Sequence, residues 1–298
     1  MIKNRIGIID IGTNTFNLLV VDRTDTGFEK VFYVTAGVGL GLGGINDRMI
    51  AQDAIQRGVQ TIDDFLIKCK GLQVEKVKAF ATSAVRDARN KEEFLDELDE
   101  RFDLDVEVIS GEREAQLIYE GIKVGYDFKY PNLIMDIGGG STEFIYADNN
   151  EIIKSQSFDI GTSRIYQSFE FEDPFTKLNV NQVINYLESR TEGFFDDITS
   201  DVLIGASGSF ETFYAILYRK DYEEKEFEIL AVSELNDVLE EMIYSTLEER
   251  QANPFIIPIR KKMAPIAAIM IKWVLDKLKV KQLIISPYAM KEGVIQTI

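Results

Sequence analysis

Residues 133–143 read Leu-Ile-Met-Asp-Ile-Gly-Gly-Gly-Ser-Thr-Glu. The apolar run Leu133, Ile134, Met135 predicts a buried strand that ends in Asp136. Gly138, Gly139 and Gly140 follow, then Ser141, Thr142 and Glu143. Without Cβ atoms, a glycine triplet lets successive N–H groups point at one ligand, and such a nest suits an anion, phosphate above all. Asp136 and Glu143 place a carboxylate on either side. Carboxylates repel phosphate, so beside a phosphate cradle they hold a divalent cation or orient a water. The competing reading of this stretch by itself is a plain glycine-rich hairpin turn.

The pattern occurs twice. Residues 6–22 read IGIIDIGTNTFNLLVVD and residues 132–148 read NLIMDIGGGSTEFIYAD. A shift of 126 positions pairs Asp10 with Asp136, Gly12 with Gly138, Thr15 with Ser141 and Asp22 with Asp148. Each copy is strand, Asp-Ile-Gly, small polar turn, second strand. Two copies so far apart predict two similar α/β domains, each offering a phosphate-facing hairpin to a shared cleft, and not a solenoid. The expected division is 1–125 and 126–298, joined near Gly125–Pro131, with a C-terminal helix at 287–298 packing on the first domain.

Composition narrows the chemistry. The chain has 298 residues, enough for two domains with real cores, and is 45% hydrophobic and 28% charged, which fits a globular protein. No apolar run approaches the ~20 residues of a membrane span. The N-terminus goes straight into a strand and lacks signal-peptide character, and the single Cys69 excludes an internal disulfide, so a cytoplasmic location is expected. The absence of histidine leaves acid–base work to Asp, Glu, Lys or Tyr. It also makes any metal oxygen-bound, which favours Mg²⁺ or Mn²⁺ over zinc. A net charge of −17 argues against duplex nucleic acid. It also requires a local basic patch and a cation for any phosphate ligand.

Further along, a helix is predicted from a cap at Asp47 to about Cys69, after a glycine-rich connector at 37–44. The stretch ATSAVRDARN at 81–90 follows a strand and carries Arg86 and Arg89 one turn apart, able to face one phosphate from one side. In SGEREA, 110–115, Glu114 lies in the first turn of a predicted helix, where the helix dipole alone favours an acid. A base role competes with that reading. Helices are also expected at 180–198, 233–247, 264–278 and 288–296. GASGSFET at 205–212 is a strand-to-helix junction whose amides suit an anion or an empty helix entry equally.

Six blocks in register, DIGTNT, ATSAVRDARN, SGEREA, DIGGGSTE, GASGSFET and SPYAMKEGVI, resemble the exopolyphosphatase and guanosine pentaphosphate phosphohydrolase family. The resemblance implies two ribonuclease-H-like domains of the actin, sugar-kinase and heat-shock ATPase superfamily, flanking a cleft. It implies release of terminal phosphate from polyphosphate or pppGpp, with Mg²⁺ as cofactor and no membrane or duplex nucleic acid as partner; a homodimer is compatible with it. It puts Glu114 in the role of general base, and Asp136 and Glu143 beside metal and lytic water. Asp10 becomes a further metal carboxylate. Thr13, Asn14, Arg86, Gly138, Gly139, Gly140, Ser141, Ser207 and Gly208 become phosphate contacts.

Two departures stand out. Arg113 occupies a place where many members carry Glu. The His-Asp module of long members is expected to be absent, since the sequence holds no histidine. The alternatives are a superfamily kinase, an ATPase switch, or a catalytically weak polyphosphate or guanosine-phosphate sensor.

Overall fold

In this computed structural model, which describes residues 4–25, 27–223 and 226–297, the apolar runs of both copies become central strands. The chain forms two compact units. The first, up to Arg113, holds β1 (Arg5–Ile11), β2 (Thr15–Thr24), β3 (Gly27–Gly37), α1 (Gln52–Gly71), β4 (Lys76–Ala81), α2 (Ser83–Arg86), α3 (Lys91–Phe102) and β5 (Val106–Val108). The second, Glu114 to Gln296, takes most of α4 (Gly111–Lys123), then β6 (Asn132–Ile137), β7 (Thr142–Asp148), β8 (Glu151–Phe158), α5 (Thr162–Ser168) and α6 (Lys177–Arg190). It continues with β9 (Val202–Ala206), α7 (Gly208–Tyr218), β10 (Glu228–Ala231), α8 (Val232–Ile243), α9 (Leu247–Ala252), α10 (Ala264–Leu278), β11 (Gln282–Ile285) and α11 (Met290–Gln296).

The sequence repeat is a topological repeat. The first sheet has the order β3-β2-β1-β4-β5, and the second, read from its β8 edge, is β8-β7-β6-β9-β11 with β10 added. In each, three antiparallel strands are followed by parallel neighbours. The shift of 126 holds in detail. Asp10 pairs with Asn17 as Asp136 pairs with Glu143. The turn closes through Gly12 N–H to Thr15 O at 3.1 Å in one copy and Gly138 N–H to Ser141 O at 3.0 Å in the other. Both second hairpins carry a register shift, at Val20/Val21 and at Tyr146/Ala147. The repeat runs past the hairpins, because Ile6 pairs with Lys76 and Leu133 with Leu203, the same separation of 70 positions.

Each unit has its own core. In the first, α1 and α3 lay Ile55, Val59, Ile62, Phe94 and Leu98 over Ile9, Ile11, Phe16 and Leu18. In the second, α10 is buried on nearly all sides, and Phe144, Phe195 and Trp273 meet edge to face. Among the described residues no helix is long and apolar enough to cross a membrane.

Several element boundaries differ from expectation for local reasons. α6 starts at Lys177, because Thr176 and Asn179 exchange capping hydrogen bonds, and it ends at Arg190, where Phe194 and Phe195 turn into the core. The helix expected over 233–247 breaks after Ile243 and restarts as α9, capped by Thr246 and Glu249. Asp47 closes a single 3₁₀ turn, and α1 begins at Gln52. The glycine-rich stretch 37–44 is not a loose connector. Val38, Gly39 and Gly41 donate to the carbonyls of Asn14 and Thr13 at 2.8–3.0 Å, and Arg57 holds the carbonyls of Val38 and Gly39.

Candidate active site

The second unit brings its acidic and glycine-rich residues to one end of its sheet. Asp136 and Glu143 are register partners on β6 and β7, both buried. Buried carboxylates need donors to offset their desolvation. Ser207, at the end of neighbouring β9, gives its hydroxyl to Asp136 Oδ2 at 2.7 Å. Ser157, across from Glu143 on β8, gives its hydroxyl to Glu143 Oε1 at 2.6 Å. Ser157 carries no motif in the sequence. Only the strand register, fourteen positions on, brings it to Glu143.

Between the two carboxylates lies the glycine turn. Its carbonyls all face the start of α5. Thr162 N–H bonds Gly138 O at 3.0 Å, Ser163 N–H bonds Gly139 O at 2.8 Å and Gly161 N–H bonds Gly140 O at 3.3 Å. A trans peptide points its N–H opposite to its C=O. The amides of Gly139, Gly140 and Ser141 are therefore turned away from α5, to the side where a nest would meet an anion. Close packing locks this arrangement: a Cβ on Gly161 would lie 2.3 Å from Gly139 C. The nearly buried Arg164 also donates Nε to Gly140 O at 2.9 Å, placing a guanidinium behind the turn. Residues 159–162, Asp-Ile-Gly-Thr, repeat the Asp-Ile-Gly pattern and so mark this support in the sequence, whereas Arg164 carries no such signal.

At the β9–α7 junction Ser207 stands at φ 68° and ψ 176°, where side chains rarely go. Its neighbour Gly208 lies against the Arg260 guanidinium, 1.8 Å from where a Cβ would stand, so a side chain there would displace that guanidinium. Arg260 Nη1 donates to Gly208 O at 2.7 Å and to Thr212 Oγ1 at 3.2 Å. Arg260 thus braces the junction.

Glu114 is buried on α4, whose first turn is capped by the Ser110 hydroxyl accepting from Arg113 N–H at 3.1 Å. It belongs to the same unit as Asp136 and Glu143. α4 is seated by a glycine contact with α11: a Cβ on Gly121 would lie 2.0 Å from Ala289 O, and one on Gly293 would lie 1.9 Å from Leu117 O. Glu292 Oε2 accepts the Ala289 N–H at 2.8 Å and so caps α11.

The first unit holds Asp10, Thr13, Asn14 and Arg86. Thr13 and Asn14 are buried in the β1–β2 turn, their carbonyls taken by the 37–44 stretch. Asp10 Oδ2 accepts from Asn17 Nδ2 at 2.9 Å. Arg86 ends the one-turn α2; its Nη1 donates to Ile109 O at 3.3 Å and its Nε lies 3.6 Å from Asp87 Oδ1. Arg89 falls beyond the helix end and is exposed, so the two arginines do not share a helix face as their spacing predicts.

Among the described residues no three His, Cys, Asp or Glu side chains gather closely enough to hold a metal ion. The donor set in the second unit is two register-paired carboxylates beside an amide nest. That suits Mg²⁺, which keeps several waters and takes one or two carboxylates plus phosphate oxygens, better than an all-protein cage.

Comparison with known proteins follows the same lines. An exopolyphosphatase from Cytophaga hutchinsonii is 34% identical and superposes with a TM-score of 0.94, covering 98% of this chain and 97% of its own. A Ppx/GppA family member from Aquifex aeolicus is 25% identical with a TM-score of 0.80 over 98% and 96% of the two chains. A guanosine-5'-triphosphate,3'-diphosphate pyrophosphatase from Vibrio atlanticus is 26% identical over 289 residues, and one from Vibrio campbellii 25% identical over 294. Each match covers 96% of this chain but only 57% and 58% of those relatives, so the chain spans less than two thirds of their length. The fold is accordingly the pair of ribonuclease-H-like domains shared by actin, sugar kinases and heat-shock ATPases. The model of the Ppx/GppA phosphatase family matches residues 19–298, and the chain belongs to that family.

Proposed function

We propose that the protein is an exophosphohydrolase that releases the terminal phosphate of inorganic polyphosphate. The observation that carries this reading is the second unit's arrangement of buried Asp136 and Glu143 flanking an amide nest whose carbonyls are tied back to α5. The nest amides bind non-bridging phosphate oxygens, and Arg164 behind them adds positive charge within a chain of net charge −17. Glu114 takes a proton from the attacking water. Ser207 and Ser157 keep Asp136 and Glu143 aimed as acceptors. Asp136 and Glu143 would hold Mg²⁺, which when bound supplies neutralising charge to the phosphate oxygens. Asp10, Thr13, Asn14 and Arg86 enter the reading through the family resemblance.

Polyphosphate is placed ahead of pppGpp because the Cytophaga exopolyphosphatase is matched end to end at 34%, whereas the Vibrio pyrophosphatases are matched over little more than half their length. A cytoplasmic location is part of the proposal, and a homodimer is compatible with it.

The test is phosphate release with Mg²⁺ from short polyphosphate, long polyphosphate, pppGpp and ATP in parallel. Release from polyphosphate that disappears in Glu114→Gln, with the circular dichroism spectrum unchanged, is the expected result. Release from pppGpp alone moves the substrate. Silence on all four from folded protein overturns the enzyme reading in favour of a phosphate-chain sensor.

A further inference from the structure

The two copies of the repeat solve one problem in opposite ways. Each carries, one residue before the end of its first strand, an aspartate that accepts a side-chain hydrogen bond. In the second copy a donor is Ser207, one residue past the end of the parallel neighbour, β9. The position matching Ser207 in the first copy is Ala81, which has no hydroxyl, since Asp10 pairs with Phe80 as Asp136 pairs with Ala206. There a donor comes from the antiparallel side: Asn17 Nδ2 to Asp10 Oδ2 at 2.9 Å. Asn17 stands where the second copy carries Glu143.

Asn17 is itself oriented. Its Oδ1 accepts from Thr35 Oγ1 at 2.8 Å and from Tyr33 OH at 3.2 Å, and the two hydroxyls lie 3.0 Å apart. Two donors on Oδ1 fix the amide so that its NH₂ faces Asp10. Thr35 is the register partner of Asn17 on β3, as Ser157 is of Glu143 on β8. The chain Thr35–Asn17–Asp10 is thus the counterpart of Ser157–Glu143–Asp136, with an amide where the second copy has a carboxylate.

We propose that Asn17, locked by Thr35 and Tyr33, is a positioning residue that holds Asp10 as a fixed acceptor, and that this amide-for-carboxylate exchange divides labour between the copies. The first copy presents one oriented carboxylate, while the second presents a pair. The functional half of this proposal rests on the exophosphohydrolase reading and the role it gives Asp10; the structural half does not.

The test uses isosteric variants of the full chain. Asn17→Asp keeps the size and the bonds from Thr35 and Tyr33 but sets a carboxylate against Asp10. Thr35→Val removes the hydroxyl at constant shape, and Thr35→Ser restores it. Asn17→Asp and Thr35→Val are each expected to lower phosphate release from short polyphosphate about tenfold, the usual scale for an outer-layer partner of a site carboxylate. Thr35→Ser stays within about twofold of wild type. The thermal midpoint of the metal-free protein gives a second readout. Asn17→Asp lowers it, and adding Asp10→Asn, which rebuilds the amide–carboxylate pair in reverse, raises it again while phosphate release stays low. An Asn17→Asp protein with wild-type release and midpoint overturns the proposal. So does an exchange variant whose midpoint does not recover, and that outcome is readable even if the wild type proves to release no phosphate.

Discussion

At Ser207 the backbone occupies φ 68°, ψ 176°, a region used almost only by glycine, at a cost of about 1–3 kcal/mol. The same residue gives a 2.7 Å hydrogen bond to the buried Asp136, and a bond to a charged acceptor contributes about 1.5–3 kcal/mol. The two terms are of similar size and opposite sign, and different substitutions separate them. Ser207→Ala keeps the strain and loses the bond. Ser207→Gly loses both. Urea unfolding should therefore find Ser207→Gly more stable than Ser207→Ala by about 1–3 kcal/mol, reversing the usual glycine penalty. Both should release phosphate more slowly than wild type, because Asp136 is left without its β9 donor. Equal stabilities for the two variants would mean that the junction relaxes out of its strained conformation when the hydroxyl goes.

The glycine pair at the α4–α11 crossing carries an argument about a whole element. A Cβ on Gly293 would lie 1.9 Å from Leu117 O, a backbone atom that no rotamer change can move. Gly293→Ala must push α4 and α11 apart, and overpacking of this kind costs about 1–3 kcal/mol. α4 carries Glu114, the base of the proposed reaction, and a displacement of about 1 Å in such a group can cost about 10²-fold in rate. Gly293→Ala is thus expected to lower kcat by about 10- to 100-fold with a smaller change in KM. Gly71→Ala, at an end of α1 with open space around it, serves as the control and should leave both parameters in place. Elements of this size were unevenly legible in the sequence. The Asp-Ile-Gly repeat was readable because strand, turn and strand are local, and α10 was readable because it is apolar at all but three positions, Lys272, Asp276 and Lys277. The 70-position spacing between β1 and β4, and between β6 and β9, was not, because beyond the hairpin strands it is filled by helices of unrelated sequence. Ser157, Thr35 and Arg164 reach the two turns only through sheet register or helix packing, which leaves no spacing signature. Glu114 was legible as a helix-start acid, and only the family resemblance implies a base there.

At the scale of the molecule, the chain contains one cysteine and one tryptophan, and they fall in different units. Cys69 is buried in the first core, its Sγ lying 3.2 Å from where a Cβ on Gly7 would be. Burial pushes its thiol up to about 11. Trp273 is in the second core and donates to Glu188, which also binds Lys277. Each unit therefore has a built-in reporter: trapping of the thiol by iodoacetamide for the first and tryptophan fluorescence for the second. Two units with separate cores need not unfold together, and non-coincident probes are the mark of that behaviour. The second unit has the larger buried cluster and the more extensive aromatic packing, so its fluorescence midpoint in urea is expected to lie above the midpoint for thiol trapping. The thiol adds a pH signature. Because its folded pKa is raised, the stability it contributes is complete below the ordinary thiol range and is lost as pH climbs through about 11. Over that alkaline window the trapping midpoint of the wild type should fall relative to Cys69→Ala followed by a first-unit spectroscopic probe. Coincident midpoints at neutral pH would instead mean that the two units unfold as one cooperative body, and a substitution in either would then be felt in full by both.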